Sequence, residues 1–222
     1  MHPIPAFVST MALRRHKLPG MKASDRKKLL DMAAAREKSG SGSDLQTLRE
    51  APSRYEHPPS FLKGLEPVSY VIVGGLATAR YMPERMTLDI DILIEASDLP
   101  AVERALASKG ARKRGALSVG GSTWQLQDGK LLDVLALNAD WVDEAIRGAE
   151  RDETGLPVVA LPYLVLMKLE SGRLQDLADI SRMMGCASAA HIDATRRIVS
   201  RYRPRDVEDL ESMIRLGKLE HE

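Results

Sequence analysis

A chain of 222 residues, set against a domain length of roughly 150, makes one large domain or a core with attached segments, not a tandem array. Its 44% hydrophobic and 28% charged residues are those of an ordinary globular protein and exclude wholesale disorder or a fibrous repeat. A net charge of +1 argues against a surface that traps nucleic acid over its whole extent, and 4% aromatic residues leave few rings for a base-stacking platform.

No run of about 18 apolar residues occurs, and Ile4 to Leu13 is followed by Arg14 and Arg15 rather than preceded by basic residues. The sequence therefore predicts neither a membrane span nor a secretion signal. A single cysteine, Cys186, makes no internal disulfide and fits a reducing compartment, so the expected location is cytoplasmic. Residues 1–60 carry 11 Lys+Arg against 6 Asp+Glu. They read as a basic leader with a polar helix over Asp25 to Glu37, flexible Ser-Gly punctuation at 39–43 and prolines from Pro52 to Pro59. A partner-binding arm and a solubilising tail both fit that composition.

The character changes at Ser69. Ser69 to Val73 is a short β-branched run ending on Gly74-Gly75, and Leu76 to Tyr81 follows at helical spacing up to Pro83. Met86 to Ile94 reads as a second strand, and Leu99 to Lys109 as an amphipathic helix closed by Gly110. Arg112-Lys113-Arg114 is expected to be a charged loop. Ser122 to Gln127 and Lys130 to Leu137 form a hairpin around Asp128-Gly129. Five helical patterns follow, over Trp141 to Glu150, Leu161 to Ser171, Leu174 to Met184, Ile192 to Tyr202 and Asp206 to Leu216. The expected fold is α+β, a small mixed sheet over residues 61–160 with a C-terminal helical set over 161–222.

Chemistry concentrates after the glycine pair. In a strand, side chains two apart share a face, so Asp89 and Asp91 project together while Leu88, Ile90 and Ile92 enter the core. Two carboxylates held that closely repel unless a cation lies between them, and magnesium is the natural hard ion for oxygen ligands. Gly74-Gly75, between strand and helix, leaves room for a phosphate to approach backbone N–H groups. Together they bring phosphate and metal to one place, as nucleotidyl transfer requires. Asp133, an acid within an apolar strand, needs a cation or a solvent-filled cleft. Lys168, on an otherwise apolar helix, needs an anionic partner or a surface outlet, and Asp176 and Asp179 share a face of the next helix.

Gly74-Gly75 followed by Asp89-Ile90-Asp91 resembles the signature of the polymerase-beta-like nucleotidyltransferase superfamily. The set Arg85-x-Thr87-x-Asp89-x-Asp91, with Leu161-Pro162-Tyr163-Leu164 leading to Lys168-Leu169, Arg173 and Asp176-x-x-Asp179, looks more narrowly like its abortive-infection toxin type. The likeness covers about Tyr70 to Leu216. It implies an enzyme that moves a nucleoside monophosphate from a nucleoside triphosphate, ATP among the candidates, to a hydroxyl of RNA, protein or a small molecule. It further implies an antitoxin as a possible partner. In its terms Asp133 completes the magnesium site of Asp89 and Asp91 and assists in removing a proton. Gly74, Gly75, Arg85, Thr87, Lys168 and Arg173 meet the nucleotide, and Asp176 and Asp179 orient Lys168 or Arg173. The alternative is a non-catalytic, nucleotide- or partner-binding protein that keeps the fold. Arg196, Arg197, Arg201, Arg203 and Arg205 read as a solvated face. The five histidines, His2, His16, His57, His191 and His221, show no metal spacing.

Overall fold

The computed structural model describes Leu62, Leu65, residues 67–82 and residues 89–221. The leader helix expected at Asp25 to Glu37, and Arg85 and Thr87, lie outside the described residues. Seven strands form one mixed sheet: β1 (Val71–Val73), β2 (Ile90–Glu95), β3 (Arg112–Ala116), β4 (Gly121–Gln125), β5 (Leu131–Leu137), β6 (Glu150–Arg151) and β7 (Pro157–Val158), in the order β3-β4-β5-β2-β1-β7-β6. Among the described residues seven α-helices accompany them: α1 (Gly74–Tyr81), α2 (Leu99–Ser108), α3 (Val142–Arg147), α4 (Leu161–Ser171), α5 (Leu174–Cys186), α6 (Ala189–Tyr202) and α7 (Val207–His221). The expected mixed sheet with a C-terminal helical set is what forms. No helix among the described residues is long and apolar enough to cross a membrane.

The centre of the sheet is β2, which pairs with β5 in parallel and with β1 in antiparallel. Ile90, Ile92 and Ile94 are fully buried on one face, and so is Leu93 on the other, because a central strand of a covered sheet has no solvent side along much of its length. β5 is likewise interior, flanked by β4 and β2, so Asp133 belongs to an interior strand rather than an edge. One continuous core joins these strands to Leu164, Val165, Leu166 and Leu169 of α4, Ile180, Met183 and Met184 of α5, and Leu210 and Met213 of α7. Burying such side chains is worth about 1.5–3 kcal/mol each, which makes the helical set integral to the sheet's stability.

Three expectations need correction. Arg112-Lys113-Arg114 is not a loop but the start of edge strand β3, every residue of which is exposed. A strand without a buried face carries no apolar alternation to announce it, and its charges protect the open edge. The helix expected over Trp141 to Glu150 stops at Arg147, and Glu150–Arg151 instead pairs with Pro157–Val158. These two-residue strands are too short for a periodic signal. Gly74, expected in a turn before the helix, is itself the first residue of α1, with φ +62°.

Candidate active site

Register assembles the site. Val73 of β1 lies opposite Asp91 of β2, and Asp91 lies beside Asp133 of β5. Neighbouring strands run about 4.8 Å apart, and paired residues project to the same face, so the two carboxylates stand side by side. Asp89, two residues before Asp91, shares that face and is exposed at the start of the strand. Because Val73 ends β1 at Asp91, the glycine bend falls directly over the Asp91 carboxylate. A Cβ on Gly74 would lie far inside van der Waals contact of Asp91 Oδ2. With its positive φ, position 74 therefore admits glycine for two independent reasons. The Gly75 N–H donates to the Asp91 carboxylate, and Thr78 Oγ1 donates to the Gly74 carbonyl at 2.8 Å to close the first turn of α1.

The electrostatics are those of crowded negative charge. Burial, then Asp133, then Asp89 push the Asp91 carboxyl from 3.8 up to about 6, against the Gly75 N–H and the positive charge of Arg173. Partial burial and Asp133 also raise Asp89. Asp133 accepts a hydrogen bond from Thr123 Oγ1 at 2.6 Å. All three are hard oxygen donors, the donor chemistry that suits a magnesium-like ion. Among the described residues no group of three or more His, Cys, Asp or Glu is already gathered tightly enough to hold a metal ion.

A second cluster lies where α4 turns into α5. Gly172, at φ +63°, ends α4 and Arg173 precedes the first residue of α5, so the chain doubles back and sets Lys168 against the first turns of α5. Lys168 Nζ donates to Asp176 Oδ1 at 2.8 Å and to Asp179 Oδ2 at 2.7 Å, all three side chains being buried. Asp176 Oδ2 also accepts from Ser171 Oγ and, at 2.8 Å, from Arg173 Nε. Burial works to raise Asp176, but Lys168, Ser171 and Arg173 outweigh it and hold the carboxyl below its ordinary value. Two cations and two carboxylates make this network neutral. Arg173 is half exposed, and its charge reaches Asp91, which links the two clusters.

Register thus sets Asp91 beside Asp133, with Asp89 on the same face, next to Gly74 and Gly75, and the α4–α5 turn separately joins Lys168, Asp176, Asp179 and Arg173. Thr123 and Ser171 were not singled out from the sequence. A two-residue turn at Asp128-Gly129 would set Thr123 opposite Val134; the Leu126 N–H instead donates to the Lys130 carbonyl around a three-residue loop, and that one-residue shift sets Thr123 opposite Asp133. Of the arginine run, Arg196 pairs with Glu211 and Asp193, Arg201 with Glu144, and Arg203 with Asp206.

No protein-family model matches the chain, and no curated protein matches it. Among solved structures, the chain is similar to the antibiotic-resistance factor ANT(2'')-Ia in solution, at 19% identity over 72% of this chain and 91% of that one, with a TM-score of 0.42. It is similar to ANT(2'')-Ia in complex with adenylyl-2''-tobramycin, at 19% identity over 70% of this chain and 92% of that one, TM-score 0.40. It is also similar to the Thermotoga maritima CCA-adding enzyme complexed with tRNA, at 14% identity over 86% of this chain and 54% of that one, TM-score 0.36.

Proposed function

We propose that the protein is a nucleotidyltransferase that moves a nucleoside monophosphate from a nucleoside triphosphate to an acceptor hydroxyl. The observation that carries this reading is the convergence of Asp91, Asp133 and Asp89 on one sheet face, directly under the Gly74-Gly75 bend. A purely structural role gives no reason to place two acids side by side on interior strands, where their repulsion costs stability.

Asp89, Asp91 and Asp133 are the residues that would hold magnesium. Bound there, the ion supplies Lewis-acid polarisation of the α-phosphoryl group and offsets the charge of the departing pyrophosphate. The acceptor oxygen forms a bond to the α-phosphorus as the bond to the bridging oxygen of pyrophosphate breaks, and Asp133 takes the hydroxyl proton. Gly75 fixes Asp91 through its N–H, and the side-chain-free bend leaves the triphosphate room to pass over it. Arg173, exposed and acting on Asp91, faces the phosphates. Lys168, buried and bonded to Asp176 and Asp179, braces the α4–α5 turn from which Arg173 projects. A toxin acting on RNA or protein and an enzyme acting on a small molecule differ in the acceptor, not in this chemistry.

The test is incubation of the full chain with each α-labelled nucleoside triphosphate, magnesium and cell extract, in parallel with the Asp89→Ala/Asp91→Ala variant. Label on an acceptor with the parent protein alone is the expected result and names donor and acceptor class. Equal labelling by the variant removes these carboxylates from catalysis.

A further inference from the structure

Two adjacent hydroxyls on β4 serve opposite faces of the sheet. Ser122 is buried, and its Oγ donates to Glu103 Oε1 at 2.8 Å while accepting from Trp124 Nε1 at 2.9 Å. Thr123 projects to the other face, where its Oγ1 donates to Asp133 Oδ1 at 2.6 Å. Register fixes this contact. Thr123 is directly opposite Asp133 in the antiparallel β4–β5 pair, just as Asp91 is directly beside Asp133 in the parallel β2–β5 pair. Asp133 therefore stands between a hydroxyl donor on one side and a like-charged carboxylate on the other.

Repulsion from Asp91 leaves the rotation of the Asp133 carboxylate undefined, and the Thr123 hydroxyl on the far side selects which oxygen it engages. A hydroxyl-to-carboxylate bond of this length is of the strong, charge-assisted kind, and β-branched threonine has few χ1 positions from which to make it. We propose that Thr123 is a positioning residue for Asp133, tying down Oδ1 so that Oδ2 is the oxygen presented to a divalent cation or an acceptor hydroxyl. This inference rests on the reading of Asp133 as part of the transfer site. Groups that orient a metal's ligands in this way typically affect metal affinity by about 10–100-fold when removed.

The experiment is a Mn2+ titration of the full chain, followed by the paramagnetic resonance of the free ion, for the parent and for Thr123→Val, Thr123→Ser, Asp133→Asn and Ser122→Ala. Thr123→Val keeps the shape and removes the hydroxyl, so Mn2+ affinity falls about tenfold. Thr123→Ser restores the donor and returns affinity to within about threefold of the parent. Ser122→Ala lowers thermal stability and leaves Mn2+ affinity unchanged, since that hydroxyl serves the other face. Parent-like affinity in Thr123→Val, or a loss that serine does not restore, overturns the role of Thr123 while leaving the site intact. Parent-like affinity in Asp133→Asn overturns the underlying reading of the site. Should Thr123→Val not fold, Thr123→Ala carries the same comparison with the same two outcomes.

Discussion

Replacing Asp91 by asparagine is expected to stabilise the protein when divalent ions are removed, although it destroys the proposed activity. The folded-state carboxyl titrates near 6 rather than 3.8, driven first by burial and then by Asp133 and Asp89. Between these values the folded protein holds a proton that the unfolded chain has released, so stability from this group falls as pH rises through the window and is lowest above about 6. At about 1.4 kcal/mol per tenfold difference in proton affinity, the gap corresponds to about 3 kcal/mol. Partial solvent contact reduces this to about 1–2 kcal/mol. For a chain of this size that raises Tm by about 2–8 °C. The assay is thermal unfolding in EDTA at pH 7 and at pH 4, where the native carboxyl is already protonated and the gain largely disappears. A variant less stable than the parent at pH 7, or equally stabilised at both pH values, would refute the argument from charge crowding.

Further outcomes follow from the same contacts. Gly74→Ala is expected to cost about 2–4 kcal/mol in urea unfolding, from its left-handed backbone and the collision with Asp91; in an Asp91→Ala background the cost falls to about 1–2 kcal/mol, and an unchanged cost would dismiss the collision. Lys168→Met leaves Asp176 and Asp179 buried without their shared cation and is expected to cost about 3–5 kcal/mol at pH 7, measured by denaturant unfolding. Because Asp176 is held below its ordinary value, its contribution is present at neutral pH and lost as pH falls below about 4. Asp176→Asn accordingly flattens the acid limb of the stability profile, and an unaltered acid limb would count against the network. Gly217→Ala sets a Cβ against the Ser181 carbonyl where α7 crosses α5, and 2.7 Å from the Gly185 nitrogen. It is expected to destabilise by about 2–3 kcal/mol despite alanine's better helix propensity, and a stabilising result in the same assay would contradict the close crossing.

The parts of the fold with strong periodicity were legible without coordinates. Ile90, Ile92, the Asp128-Gly129 hairpin and the apolar α4 run each repeat often enough to declare their period, and the helix over Leu161–Ser171 lies where its spacing sets it. Strand β3 was hidden because an exposed edge buries nothing. The nearness of Asp89 to Asp91 is local and follows from strand geometry alone. The placement of Asp133 beside Asp91 depends on strand order and register, which spacing along the chain does not encode. The roles of Thr123 and Ser171 depend on partners 10 and 5 residues away in sequence, and no pattern within either segment announces them. Gly74 shows the same limit. Its presence was visible, but its fit against Asp91 Oδ2 appears only once β1 and β2 are paired.

The most direct test of the central claim, that these carboxylates and a divalent ion together receive a nucleoside triphosphate, is calorimetric binding of the four α,β-methylene nucleoside triphosphates to the full chain. The measurement is made in magnesium and again in EDTA, with Asp91→Asn and Asp133→Asn alongside. The account predicts that at least one analogue binds in magnesium, and that EDTA or either substitution weakens this binding at least tenfold. Binding indifferent to EDTA and to both substitutions, or no binding of any analogue in magnesium, would contradict it.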